Sequence, residues 1–92
     1  MKNLSTEKLI NKQIEELDTK FNIYNSIIEN NENILGVLYD MESTYSEQKN
    51  KDKMEVVDYL LEYIGNINSH LNNMTSCIHA ELFHLNKKVH SK

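Results

Sequence analysis

The sequence predicts an all-α fold, an antiparallel helical hairpin of two long helices at about 5–47 and 53–90, on three observations. Apolar residues recur at alternating steps of three and four along two long stretches. One wholly polar stretch, SEQKNKDK at 46–53, separates them and is the expected loop. The 92 residues include no proline and only two glycines, Gly36 and Gly65. Turn-rich β-architectures therefore lack their punctuation, and no glycine loop exists to cradle a phosphate. With 39% hydrophobic and 26% charged residues, the composition is that of one small helical domain over 1–92.

The first helix has a start signal and a stripe. Ser5 offers an N-cap, with Leu4 and Leu9 placed as a hydrophobic staple. From there Ile10, Ile14, Leu17, Phe21, Tyr24, Ile28, Asn31, Leu35, Leu38 and Tyr45 repeat at steps of four and three, with Glu42 in the remaining slot. The phase survives the asparagine-rich NNEN stretch at 30–33, which favours one continuous helix. Asn31 or Asn33 capping a new helix is the alternative.

The second helix is expected to start at Asp52, which has Glu55 three residues later at capping-box spacing. Its stripe reads Val57, Leu60, Ile64, Ile67, Leu71, Met74, Ile78, Leu82, Leu85 and Val89. An extra four-residue step from Ile78 to Leu82 would locally unwind a coiled coil. A short loop forces the helices antiparallel, so that residue i lies near about 101 minus i, give or take about two. Gly36 then falls opposite Gly65, read as chance or a close helix approach in preference to a shared hinge.

One seam cannot cover all the apolar residues of such a hairpin. In the first helix Ile23, Ile27, Ile34, Val37 and Met41 form a second stripe beside the seam. In the second, Val56, Tyr59, Tyr63, His70, Met74 and Cys77 flank it. Four helices would bury both sets, and a homodimer of hairpins is the expected route, ahead of bending each helix in two or docking on another protein.

Charge is laid out unevenly around a net −4. Residues 21–48 carry Glu29, Glu32, Asp40, Glu42 and Glu47 without a lysine, and residues 54–80 carry Glu55, Asp58 and Glu62 without one. Cations gather in the loop and at Lys87, Lys88 and Lys92. Arginine, the residue of bidentate phosphate and guanine contacts, is absent, so direct nucleic-acid binding is not expected. No apolar run approaches the roughly 20 residues of a membrane span, and the N-terminal MKNLSTEKLI lacks the core of a secretory leader. A cytoplasmic protein is expected. The abundance of Asn, Ile, Lys and Tyr is the bias that an AT-rich genome imposes, as in a low-GC bacterium or its phages and mobile elements.

Candidate chemistry is confined to the second helix. His70, Met74, Cys77, Glu81 and His84 follow one line, and Glu81 with His84 has the Glu-x-x-His spacing of di-iron bundles. Such a site needs carboxylates from the other helices, so these residues are read as flanking the seam, with neither metal nor cofactor expected. Cys77 has His70, His79 and His84 within sequence reach, but nothing supplies an oxyanion donor, and a buried inert thiol is expected. The chain is not expected to be an enzyme.

The expected function is a non-enzymatic protein–protein interaction module, a small adaptor or inhibitor. Tyr39, Tyr45, Tyr59 and Tyr63 would serve as anchors, with Asp40, Glu42, Glu55, Asp58 and Glu62 as steering charges. Size, acidity and codon bias suggest a phage or mobile-element protein blocking a host nucleic-acid-handling protein. The expected partners are a second copy and a protein target, with no nucleic acid and no membrane. The alternative is a small-ligand or metal-binding bundle at a dimer seam, using His70, Cys77, Glu81 and His84.

Overall fold

A computed structural model describes residues 4–90, with side chains over 6–89. It is an antiparallel hairpin: α1, Leu4–Glu47, of 44 residues and α2, Lys51–His90, of 40 residues. Helix α1 is continuous through Asn30–Asn33 and Gly36, and α2 through Gly65. The Ser5 cap and its Leu4 staple lie outside the described side chains, as does Lys92.

The loop is tighter than the polar stretch suggested. Lys49, at φ 57°, takes the left-handed conformation. Asn50 N–H donates to Tyr45 C=O at 2.9 Å and Lys49 N–H to Ser46 C=O at 3.1 Å. This is a Schellman C-cap, with lysine where glycine is usual. The chain leaves it at Asn50, whose Oδ1 accepts from Lys53 N–H at 3.3 Å and whose C=O accepts from Met54 N–H at 3.1 Å. Asn50, and not Asp52, is therefore the N-cap of α2, which begins at Lys51 instead of 53. The capping-box spacing of Asp52 and Glu55 pointed two residues too far along.

Every buried or half-buried side chain of α1 among the described residues falls on the expected four-three repeat from Ile10 to Tyr45, with Ile28 and Leu38 the most deeply buried. In α2 the repeat is Asn50, Met54, Val57, Leu61, Ile64, Asn68, Leu71, Thr75, Ile78, Leu82, Leu85 and Val89, with Gly65 also half-covered. Three expected seam residues are thereby displaced. Leu60, Ile67 and Met74 are 36%, 37% and 42% exposed, and Leu61, Asn68 and Thr75 take their places. The irregular step at Ile78 disappears with them.

Polar side chains hold two of those places because each is satisfied there. Asn31 Nδ2 donates to Asn68 Oδ1 at 2.8 Å across the seam, and Asn68 Nδ2 donates to Ile28 C=O at 3.4 Å. Thr75 Oγ1 donates to Asn72 C=O at 2.9 Å within its own helix. Among the described residues no buried side-chain N or O lacks a partner. A hydrogen-bonded asparagine pair in a coiled-coil seam lowers stability relative to leucine but defines register. The register it defines, with Asn31 facing Asn68 and Phe21 packing on His79 at 6.1 Å, lies within the expected allowance.

Neither glycine is required by this packing. A Cβ added at Gly36 or Gly65 would meet nothing within 4 Å, so the helices do not approach closely there. Gly36→Ala and Gly65→Ala are each expected to stabilise the hairpin by about 0.5–1 kcal/mol through helix propensity and a less flexible unfolded chain. Chemical denaturation of the single and double variants checks this, and a loss of stability at either position would reveal a backbone requirement.

The molecule measures 73 × 14 × 14 Å, with a radius of gyration of 20.5 Å against about 12 Å for a compact domain of this length. Its accessible surface is 7262 Å², where a compact protein of 10.8 kDa exposes about 5,500 Å². Four apolar side chains, Ile28, Leu38, Val57 and Ile78, count as buried among the described residues. No described helix is long and apolar enough to cross a membrane.

Candidate functional site

Heptad letters locate each side chain around the hairpin. Seam positions a are Ile14, Phe21, Ile28, Leu35 and Glu42 in α1 and Met54, Leu61, Asn68, Thr75, Leu82 and Val89 in α2; the other seam residues are d. In an antiparallel pair, positions g of both helices flank one side of the seam and positions e the other. The contacts agree. Lys20 (g) lines one groove together with Met74 and Glu81 (both g), while His79 (e) packs on Phe21 from the opposite side.

The two sides differ in chemistry. Beside e lie the carboxylates Glu32 and Asp58, backed at b by Glu29, Glu55 and Glu62. On the other side, positions g carry Ile27, Ile34 and Met41 from α1 and Leu60, Ile67 and Met74 from α2. Positions c next to them carry Ile23, Val37, Val56 and Tyr63. These ten residues are between 36% and 60% exposed, the extremes being Leu60 and Val56. No Asp, Glu or Lys occupies any c or g position from Ile23 to Thr44 or from Val56 to Cys77. Taking about 200 Å² for a fully exposed side chain of this class, the stripe offers on the order of 900 Å². Isolated monomers seldom expose a contiguous apolar patch beyond about 600 Å².

The nine residues expected to form an acidic and aromatic face are spread around the loop-proximal hairpin. Tyr39, Glu55, Asp58 and Glu62 stand on the e and b side, and half-buried Glu42 reaches it from the seam. Tyr45 sits in the seam with the Lys53 ammonium 5.4 Å from its ring centre. Tyr59 and Tyr63 stack on each other at 6.4 Å, Tyr63 belonging to the apolar stripe and Tyr59 to the outer back of α2. Asp40 is on the outer back of α1. Sequence periodicity alone could not separate these groups, because the phase of α2 depends on Asn68 and Thr75.

The Glu42 carboxyl lies against that of Asp58. A hydrogen bond between their side chains raises the Glu42 pKa above its ordinary 4.5, and partial burial and the Asp58 charge push in the same direction. The folded chain thus holds the Glu42 proton more tightly than the unfolded chain. Its contribution to stability rises as pH falls from neutral through the raised pKa, and levels off below the ordinary value of 4.5. Glu42→Gln is expected to raise the melting temperature at pH 7 and to reduce the further gain on acidification to pH 5. Melts of both chains at the two pH values test this, and identical pH responses would sink it.

His70, Cys77 and His84 occupy c positions of α2 and Glu81 a g position, so they follow one line along the end of the apolar stripe. Cys77 is exposed, which corrects the expectation of a buried thiol. With Leu17, Lys20 and Tyr24 of α1, this part of α2 lines a shallow groove of about 480 Å³. Helix α1 contributes a lysine and a tyrosine there, with no carboxylate. Among the described residues no group of three His, Cys, Asp or Glu side chains is arranged to hold a metal ion.

Fold and surface together define the chain as an antiparallel two-helix coiled coil with one acidic and one apolar long side. No protein-family model matches it, and no curated protein or solved structure does either.

Proposed function

We propose that this protein is a non-enzymatic protein–protein interaction module, an adaptor or inhibitor that acts by docking. The observation that carries the reading is the charge-free apolar stripe running along one side of both helices. Its area of about 900 Å² matches the roughly 800 Å² that each partner contributes to a standard protein interface. Depletion of charge with enrichment of Ile, Leu, Met and Tyr is also the composition of an interface centre. The opposite side, with Glu29, Glu32, Glu55, Asp58 and Glu62, supplies the field that steers a basic protein surface toward the hairpin. A basic, nucleic-acid-handling protein fits that side as target.

The test is retention of a protein target by the immobilised chain from nuclease-treated bacterial lysate, compared with an Asp58→Lys/Glu62→Lys variant. Both positions are exposed, so the variant should keep its helicity. A stoichiometric protein retained by the native chain and lost with the variant supports the reading. If no protein is retained, the adaptor or inhibitor reading fails.

A further inference from the structure

We propose that the apolar stripe is the seam of a two-fold dimer, in which a second copy of this chain lies antiparallel on the first and completes a four-helix bundle. This deepens the interaction-module reading and rests on it, by naming the occupant of the apolar side. Three observations select a second copy over an unrelated partner.

The first is the pattern. Apolar residues at a, d and g in both helices make the wide face that core-facing helices of a bundle carry, wider than the a and d line a lone pair requires. The second is area. The hairpin exposes 7262 Å² against about 5,500 Å² for a compact chain of its mass, and the stripe of about 900 Å² meets what one protomer of a stable dimer buries.

The third is charge complementarity along the g positions. The apolar run Leu60, Ile67, Met74 of α2 is closed at its loop end by Lys53 and at its far end by Glu81, each 14 residues from Ile67. A two-fold axis through the level of Ile34 and Ile67 sets α2 against α2 in reverse, and α1 against α1. Lys53 of one copy then stands at the level of Glu81 of the second copy, and the reverse holds at the other end. In α1, Lys20 meets the uncharged Gln48 of the second copy at the matching g position, so no like charges face each other there. Between these pairs the apolar residues match in order: Ile27 with Met41, Ile34 with Ile34, Leu60 with Met74 and Ile67 with Ile67. The groove of about 480 Å³ beside Met74 and Cys77 receives Val56 of the second copy as a knob. The acidic e and b sides of both hairpins face outward, so a chain of net charge −4 associates without bringing its carboxylates together.

Light scattering on the purified chain at about 100 μM, a concentration at which an interface of standard size is assembled, is expected to give twice the 10.8 kDa chain mass. Ile34→Glu with Ile67→Glu is expected to give the single mass with helicity retained by circular dichroism. Should that variant fail to fold, the exposed charges decide. Lys53→Glu and Glu81→Lys are each expected to weaken the dimer about tenfold, since the two-fold counts each exchanged charge twice, and the double exchange to restore it within about threefold. A native chain of single mass, or a dimer indifferent to the Ile34 and Ile67 changes, overturns the proposal. So does a double exchange that is no better than the single ones. A monomer that still retains a target through Asp58 and Glu62 would overturn the dimer alone and leave the interaction-module reading standing.

Discussion

Asn68→Ala is expected to lower the stability of the hairpin by about 2 kcal/mol, a large share of what a two-helix chain of this size possesses. Asn68 is 7% exposed and makes two hydrogen bonds, accepting from Asn31 and donating to the Ile28 carbonyl. Truncation removes both and leaves the Asn31 amide half-buried beside a small void. Exchanging both asparagines for leucine has the opposite sign. It removes donor and acceptor together, fills the seam, and is expected to stabilise by about 1–3 kcal/mol, a rise in melting temperature of roughly 5–20 °C. The cost of that exchange is register. In the native hairpin a slip by one heptad would part the two amides, setting Asn31 against Leu61 or Thr75 and Asn68 against Tyr24 or Leu38, whereas leucine tolerates the slip. Spin labels on the exposed Gln13 and Lys88 report this directly as the width of their distance distribution. A distribution as narrow in the double leucine variant as in the native chain would remove the register role and leave the pair as a tolerated imperfection.

The second large effect is expected at Leu38. It is 7% exposed on α1, and alanine there is expected to cost about 2–4 kcal/mol through lost transfer energy and an unfilled cavity. Among the described residues only Ile28, Val57 and Ile78 are comparably buried apolar side chains, so the hairpin has little reserve. Leu9→Ala is the control. Leu9 is 63% exposed, and its removal is expected to change stability by no more than about 0.5 kcal/mol. Thermal melts followed by circular dichroism, at one fixed protein concentration because association shifts the midpoint, separate the two. Similar losses at Leu38 and Leu9 would mean that the seam is not what holds the helices together.

Much of the architecture was legible from residue order. The stripe of α1 could be read position by position, because nine of its members from Ile10 to Tyr45 are apolar and only Asn31 and Glu42 interrupt it. In α2 the same reasoning went astray at Leu60, Ile67 and Met74. Each is more hydrophobic than, or as hydrophobic as, the residue that holds the seam nearby, and hydrophobicity was the only signal available. At the loop, capping-box spacing favoured Asp52, whereas the left-handed turn at Lys49 delivers the chain to Asn50. The candidate surface was half legible. The surplus stripe of α1 could be listed from periodicity and the acidic residues from composition, but in α2 periodicity leaves Leu60 and Ile67 in the seam and counts Tyr59 on the flank, and the division onto opposite sides was not legible.

By itself the sequence determined two long helices, their polar connection, their antiparallel pairing and the inward face of α1, since these follow from periodicity, loop length and missing turn residues. Only the tertiary structure decided which face of α2 turns inward. That choice depends on a hydrogen bond between Asn31 and Asn68, 37 positions apart. An asparagine reads as a surface residue until a partner across the seam satisfies its amide. Once Asn68 is inside, Leu60, Ile67 and Met74 rotate out beside Ile27, Ile34 and Met41, and two stripes on separate helices become one surface.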